Sequence, residues 1–171
     1  MLHAQTTQMI ATIAEHYGLN VAQYLPDDRD VNDYIQAHGK FAFYESVELR
    51  KACCHMRKVK PLQRALAGQK AWITGQRAEQ SVTRVALNVR EWDAANGLEK
   101  FNPLRDWTLT DVKNYIALYR VPYNPLHDQG YPSIGCEPCT RAIKDGEDVR
   151  AGRWWWEHSD SKECGLHLHE D

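Results

Sequence analysis

The chain has 171 residues, with 21 Lys+Arg against 23 Asp+Glu, a formal charge of −2 and 8 His. That length suits one domain, or one domain with a small appendage, and 43% hydrophobic content with 26% charge excludes wholesale disorder. No apolar run reaches the roughly eighteen residues of a membrane span. The near-neutral charge balance speaks against bulk nucleic-acid binding.

In chain order, residues 6–17 put Met9, Ile10, Ile13, Ala14 and Tyr17 on one helical face, and Gly18 supplies a C-terminal stop. Leu19 to Leu25 reads as a short strand, followed by a turn at Pro26-Asp27-Asp28 and a helix over 29–38 that Gly39 ends. Residues 46–67 are helical in pattern, with Pro61 starting a second segment inside the stretch. Lys70 to Gly75 is a compact strand, Val85 to Trp92 alternates as another, and Asn96-Gly97 marks a turn after it. Thr108 is the expected N-cap of a helix through Tyr119, with Asp111 as its capping acid. Beyond Val121 the chain turns loop-rich, with Pro122, Pro125, Pro132 and Pro138 among Gly, Asn and Asp. Helices alternating with short strands predict an α/β fold with a mainly parallel sheet flanked by helices. No GxGxxG or GxxxxGK[ST] phosphate loop occurs.

The start, Met1 to Gln8, has neither the basic residues nor the apolar stretch of a signal peptide, which predicts a cytoplasmic protein. In that compartment cysteines point to metal or redox chemistry more than to structural disulfides. The chain has five. Cys53 and Cys54 are adjacent, Cys136 and Cys139 frame Glu137-Pro138, and Cys164 stands alone near the C-terminus. Two pairs make a four-thiolate site for zinc or an iron–sulfur cluster. Adjacent cysteines reach one small ion awkwardly, whereas a cluster offers each its own iron corner, so the spacing favours the cluster. Arg50, Lys51, Arg57, Lys58, Lys60 and Arg64 crowd the first pair with no acid among them. Such a run is ordinarily a solvated face, but beside thiolates it can balance charge and hold an anion. Arg150 and Arg153, three positions apart, can converge on one sulfate or phosphate, while the run Trp154-Trp155-Trp156 reads as packing. Cys164 lies between Lys162 and His167, and a nearby cation raises thiolate character.

These motifs resemble the assimilatory adenylyl-sulfate reductases, relatives of phosphoadenylyl-sulfate reductase. The resemblance is carried by KACCHMRKVKPL (51–62), AWITGQR (71–77), EQSVTR (79–84), VPYNPLH (121–127), GYPSIGCEPCT (130–140), RAGRWWWE (150–157) and KECGLH (162–167), nearly the whole chain. It implies a [4Fe–4S] cluster on Cys53, Cys54, Cys136 and Cys139, and Cys164 as the nucleophile. That thiolate attacks the sulfur of adenylyl sulfate, expels AMP and leaves a thiosulfonate, from which thioredoxin releases sulfite for cysteine biosynthesis. Lys58, Arg84, Arg150, Arg153 and His167 are the implied substrate-binding residues. The implied fold is of the adenine nucleotide alpha hydrolase-like, PP-loop type, with no membrane or nucleic-acid partner and room for a homo-oligomer. Residues 1–120 would form a partial α/β domain, and 121–171 a cluster-binding and catalytic tail of the same structural unit. The first strands and phosphate loop of the family precede the point where this chain starts, so it reads as N-terminally truncated. Two other readings are a zinc-stabilised nucleic-acid-binding module using residues 50–64, and an inactive reductase remnant.

Overall fold

The computed structural model describes residues 1–81, 84 and 86–157. They fall into two compact units that interleave along the chain. Of the described residues, one contains those of 1–22, 74–89 and 102–155, and the other those of 23–73, 90–101 and 156–157.

In the first unit, helix α1 (Ala4–Tyr17) ends at Gly18, whose φ of 62° opens the left-handed cap expected of glycine. Helix α5 (Leu109–Tyr119) starts with the reciprocal cap foreseen for Thr108 and Asp111. The Asp111 N–H donates to Thr108 Oγ1 at 3.1 Å, and the Thr108 N–H donates to Asp111 Oδ2 at 2.8 Å. The proline-rich stretch beyond it forms short 3-10 turns at Pro125–Gln129 and Glu137–Cys139. Leu87, Leu126, Cys139 and Trp154 are the buried apolar residues here.

The second unit holds helix α2 (Asp28–His38), capped by the Asp27 carboxylate on the Arg29 N–H, and helix α3 (Val47–Cys54), capped by Ser46 on the Leu49 N–H. After α3 the backbone widens into a π-type turn over His55–Val59 before helix α4 (Lys60–Leu66). Pro61 explains the widening. It has no N–H for the carbonyl of residue 57 and its ring would collide with that carbonyl, so the helix cannot run on in α geometry.

The sheet of this unit has three strands in the order β1-β3-β2, with β1 Ala71–Ile73, β2 Arg90–Asp93 and β3 Leu98–Phe101. β1 runs parallel to β3 and β2 antiparallel to it, so the small sheet is mixed. β2 and β3 form a hairpin over the Asn96-Gly97 turn, where Gly97 takes φ 68°. Lys100, in the central strand, is 4% exposed and pairs with Glu91 at 2.8 Å, its register partner across the hairpin. Leu98, Phe43, Ala42, Met56 and Tyr34 supply buried apolar surface.

Two expectations change. Residues 19–25 form no strand; Leu19, Tyr24 and Leu25 are exposed, with no neighbouring strand to complete a ladder. β2 begins only at Arg90, and β3 was not foreseen at all.

Candidate functional site

Cys53 and Cys54 end α3, and both are buried free thiols. Arg50, one helical turn before Cys54, is fully buried and hydrogen-bonds the Cys54 sulfur. It also grips the Glu157 carboxylate in two bonds, Nε to Oε1 at 2.9 Å and Nη2 to Oε2 at 2.7 Å. Burial disfavours the guanidinium charge, but these partners outweigh it and raise the Arg50 pKa. Removing one partner of so deeply buried a pair costs about 3–5 kcal/mol, because the other charge is left uncompensated. Beside them the Tyr34 hydroxyl donates to the Leu49 carbonyl at 3.1 Å. Burial, with negative charge at Cys53 and Glu45, pushes its pKa up to about 12 against the opposing pull of Arg57.

The basic run around this pair divides on inspection. Lys60 is spent on Asp30 at 2.8 Å, Arg64 on the Leu25 carbonyl and Arg50 on Glu157. Lys58 lies half-buried on the π-type turn. What reads in one dimension as a uniform charged face is therefore partly structural.

Cys136 and Cys139 frame a 3-10 turn in the other unit, Cys139 buried and Cys136 half-buried, again as free thiols. Main-chain bonds hold this turn from three sides. The Cys139 N–H donates to the Cys136 carbonyl at 2.9 Å, Glu137 N–H to the Met1 carbonyl at 3.0 Å, and Trp154 N–H to the Cys139 carbonyl at 3.1 Å. Thr140 Oγ1 closes it by donating to the Cys136 carbonyl at 2.9 Å and accepting from the Gly135 N–H at 3.1 Å. Arg153 stands beside it, 7% exposed, its guanidinium 4.5 Å over the Trp154 ring and Nη1 directed to Ser133 Oγ at 3.4 Å and the Ile134 carbonyl at 3.3 Å. Arg150 and Arg153 sit on one turn, the Arg153 N–H donating to the Arg150 carbonyl at 2.9 Å. Arg84 lies in the same unit, half-buried, with Nη1 on Gln80 Oε1 at 2.5 Å. Cys164 and His167 lie outside the described residues.

The two cysteine pairs thus belong to different units. Among the described residues no three or more His, Cys, Asp or Glu gather closely enough to hold a metal ion. Each pair by itself presents two reduced sulfurs of the kind that ligate thiophilic metals, one pair at the end of α3 and the other around a 3-10 turn, with Cys53, Cys54 and Cys139 buried. Sequence reasoning passed over Glu157, whose signal was its acidic side chain closing an otherwise aromatic run one segment before Cys164.

The fold is of the α/β class, and its described residues carry free thiols at Cys53, Cys54, Cys136 and Cys139 and buried guanidinium groups at Arg50 and Arg153. Residues 1–142 match the phosphoadenosine phosphosulfate reductase domain, and the chain belongs to that family. It is 60% identical over 99% of its length to an adenosine 5'-phosphosulfate reductase of Allochromatium vinosum, of which it covers 66%, and 61% identical over 98% to one of Burkholderia cepacia, of which it covers 67%. The chain therefore spans about two thirds of the length of these relatives. A reductase of the same name from Rhizobium tropici is 49% identical over 99% of this chain and 94% of that protein. Among solved structures, a phosphoadenylyl-sulfate reductase of Candida auris in a phosphate complex superposes with a TM-score of 0.66 at 32% identity, covering 83% of this chain and 66% of the other. An FMN adenylyltransferase of Candida glabrata shares the fold at a TM-score of 0.54 and 16% identity, over 95% of this chain and 52% of that one. No helix among the described residues is long and apolar enough to cross a membrane.

Proposed function

We propose that this chain reduces adenylyl sulfate to sulfite and AMP in the cytoplasm, for sulfate assimilation, with a thioredoxin-type dithiol protein as reductant. The observation that carries the reading is the pattern of free thiols: Cys53-Cys54 and Cys136/Cys139 fixed on helical ends and turns, with Cys164 left over for chemistry. The names of the relatives agree with it.

Cys164 attacks as the thiolate, which Lys162 and His167 in the same segment favour electrostatically. Its sulfur bonds to the sulfate sulfur while the bond from that sulfur to the bridging oxygen breaks, and AMP departs with the electron pair. A thiolate approaching an anion meets charge repulsion, so Lys58, Arg84, Arg150, Arg153 and His167 are assigned to the sulfate and phosphate oxygens, where cations lower the barrier. The resulting thiosulfonate is attacked at the Cys164 sulfur by the first thiolate of the reductant. Sulfite leaves, and the second thiol of the reductant resolves the mixed disulfide, so the dithiol supplies both electrons.

Cys53, Cys54, Cys136 and Cys139 are assigned as ligands of a [4Fe–4S] cluster. When bound, that group would supply a fixed electrostatic and structural anchor. Arg50, buried against Cys54, offsets the charge that thiolate ligands bring.

Metal and turnover analysis of the purified chain tests the reading. Iron and acid-labile sulfide with absorbance near about 400 nm, and equal yields of sulfite and AMP, are expected. Stoichiometric zinc without iron would overturn the cluster assignment, and absence of sulfite with reduced thioredoxin would overturn the activity.

A further inference from the structure

Exposure along α3, the π-type turn and α4 follows a broken rhythm. Glu48, then Lys51 with Ala52, then His55 face solvent at the three-to-four-residue step of an α-helix. The next exposed residue is Lys60, five positions on, and Gln63 with Arg64 follow at the ordinary step. That five-residue step is the π-type turn itself, in which the Lys60 N–H donates to the His55 carbonyl five positions back. The residue taken up in the turn changes which lysine faces out. In unbroken α geometry, at about 100° a residue, Lys58 would come round to within about 60° of His55, on the solvent stripe. In the wider turn each residue advances by less. Lys58 therefore stops short, on the side of Cys54, half-buried together with Arg57 and Val59. Lys60 takes the outward place instead, where it meets Asp30 at 2.8 Å. All these residues belong to one compact unit, so the geometry is internal to it.

We propose that Pro61 is a positioning residue: by forcing the π-type turn it moves Lys58 off the solvent face of the helix and onto the face of the cysteine pair, where Lys58 meets the anionic substrate. The proposal rests on Lys58 being one of the cations that hold adenylyl sulfate. Pro61 itself is buried and touches no substrate in this account. Its ring and its missing N–H exclude the α continuation. Beyond it, the bonds from Lys60 to Asp30 and from Arg64 to the Leu25 carbonyl fix the register of α4, so the helix cannot relieve the turn by rotating.

The test regularises the helix and reads Lys58 directly. Deleting Val59 together with Pro61→Ala removes the extra residue and restores the N–H, so that one α-helix can run from Val47 to Leu66. Lys60 then follows His55 by four positions and Arg64 follows it by eight, which keeps both on the outer stripe. Lys58 follows by three and joins them. Pro61→Ala alone is the milder variant and is read in the same way if the deletion fails to fold. Native lysines are acylated with acetic anhydride, and each site is followed by mass spectrometry. Lys58 is expected to react more slowly than Lys60 in the parent chain and as fast as Lys60 in the variant. Affinity for adenylyl sulfate is then measured by calorimetry in the Cys164→Ser background, where no covalent product forms. There Lys58→Ala is expected to weaken binding by about tenfold or more in the parent helix and by less than about twofold in the regularised one, whose Lys58 already faces away. Labelling of Lys58 that does not change in a folded variant overturns the role of Pro61. Equal losses from Lys58→Ala in both backgrounds overturn the positioning. No loss in the parent background shows separately that the assignment of Lys58 to the substrate has failed.

Discussion

Gly135 has no side chain because the Arg153 guanidinium stands where its Cβ would be; a Cβ built there collides with Nη2 and lies 2.6 Å from Cζ. Glycine at 135 thus lets a cation press against the backbone next to the Cys136–Cys139 turn, where the Trp154 ring covers its other face. Gly135→Ala is expected to push Arg153 aside. If that guanidinium holds the sulfate, KM for adenylyl sulfate rises by about tenfold or more, as does KM in Arg153→Ala, with iron content unchanged. Steady-state kinetics check this, and an unaltered KM in Gly135→Ala would contradict it.

Asn102 is fully buried after β3 and satisfies three partners within its unit. Its backbone N–H donates to the Val89 carbonyl at 2.8 Å, Nδ2 to the Asn88 carbonyl at 2.8 Å, and Oδ1 accepts from Thr74 Oγ1. Asn102→Ala removes the acceptor of the buried Thr74 hydroxyl, and a buried polar group left without its partner costs about 1–3 kcal/mol, while the exposed Asn88 carbonyl can turn to water. A fall in the denaturant midpoint with unchanged slope is expected.

Arg141 and Glu147 predict an acid dependence. Two bonds from Arg141 and the Lys144 N–H hold the Glu147 carboxyl at about 2, below its ordinary 4.5. A depressed folded-state value stabilises the fold above the unfolded value, and that contribution is lost as pH falls from about 4.5 toward about 2. Carbon-detected NMR titration of the Glu147 carboxyl is expected to give a midpoint near about 2, moving back toward 4.5 in Arg141→Met. A wild-type midpoint at 4.5 would count against the pairing.

Local signals were legible in the sequence where they are chemically self-contained. Thr108 with Asp111, Gly18 after Tyr17, and Pro61 inside a helical run each dictate their own neighbourhood, and the caps and the interrupted helix follow. Residues 19–25 show the opposite case: a short run with apolar residues makes no strand where no neighbour among the described residues completes the ladder. β3 escaped notice because Leu98-Glu99-Lys100-Phe101 buries a lysine, which reads as surface until Glu91 and the Trp72 ring, 5.8 Å from its ammonium, come beside it. The cysteine pairs were legible by type and spacing. The Arg50–Glu157 pair was not, since its partners lie far apart in sequence and only the fold brings them together.

The central claim is that Cys164 attacks the sulfur of adenylyl sulfate, and the covalent product can be weighed. The chain is incubated with adenylyl sulfate and no reductant, and the peptide containing Cys164 is examined by mass spectrometry. A thiosulfonate adds one SO3 group, about 80 Da, to that cysteine and releases one AMP, and reduced thioredoxin then removes the mass as sulfite. The same mass on another cysteine, or AMP release without any mass gain at Cys164, would contradict the account.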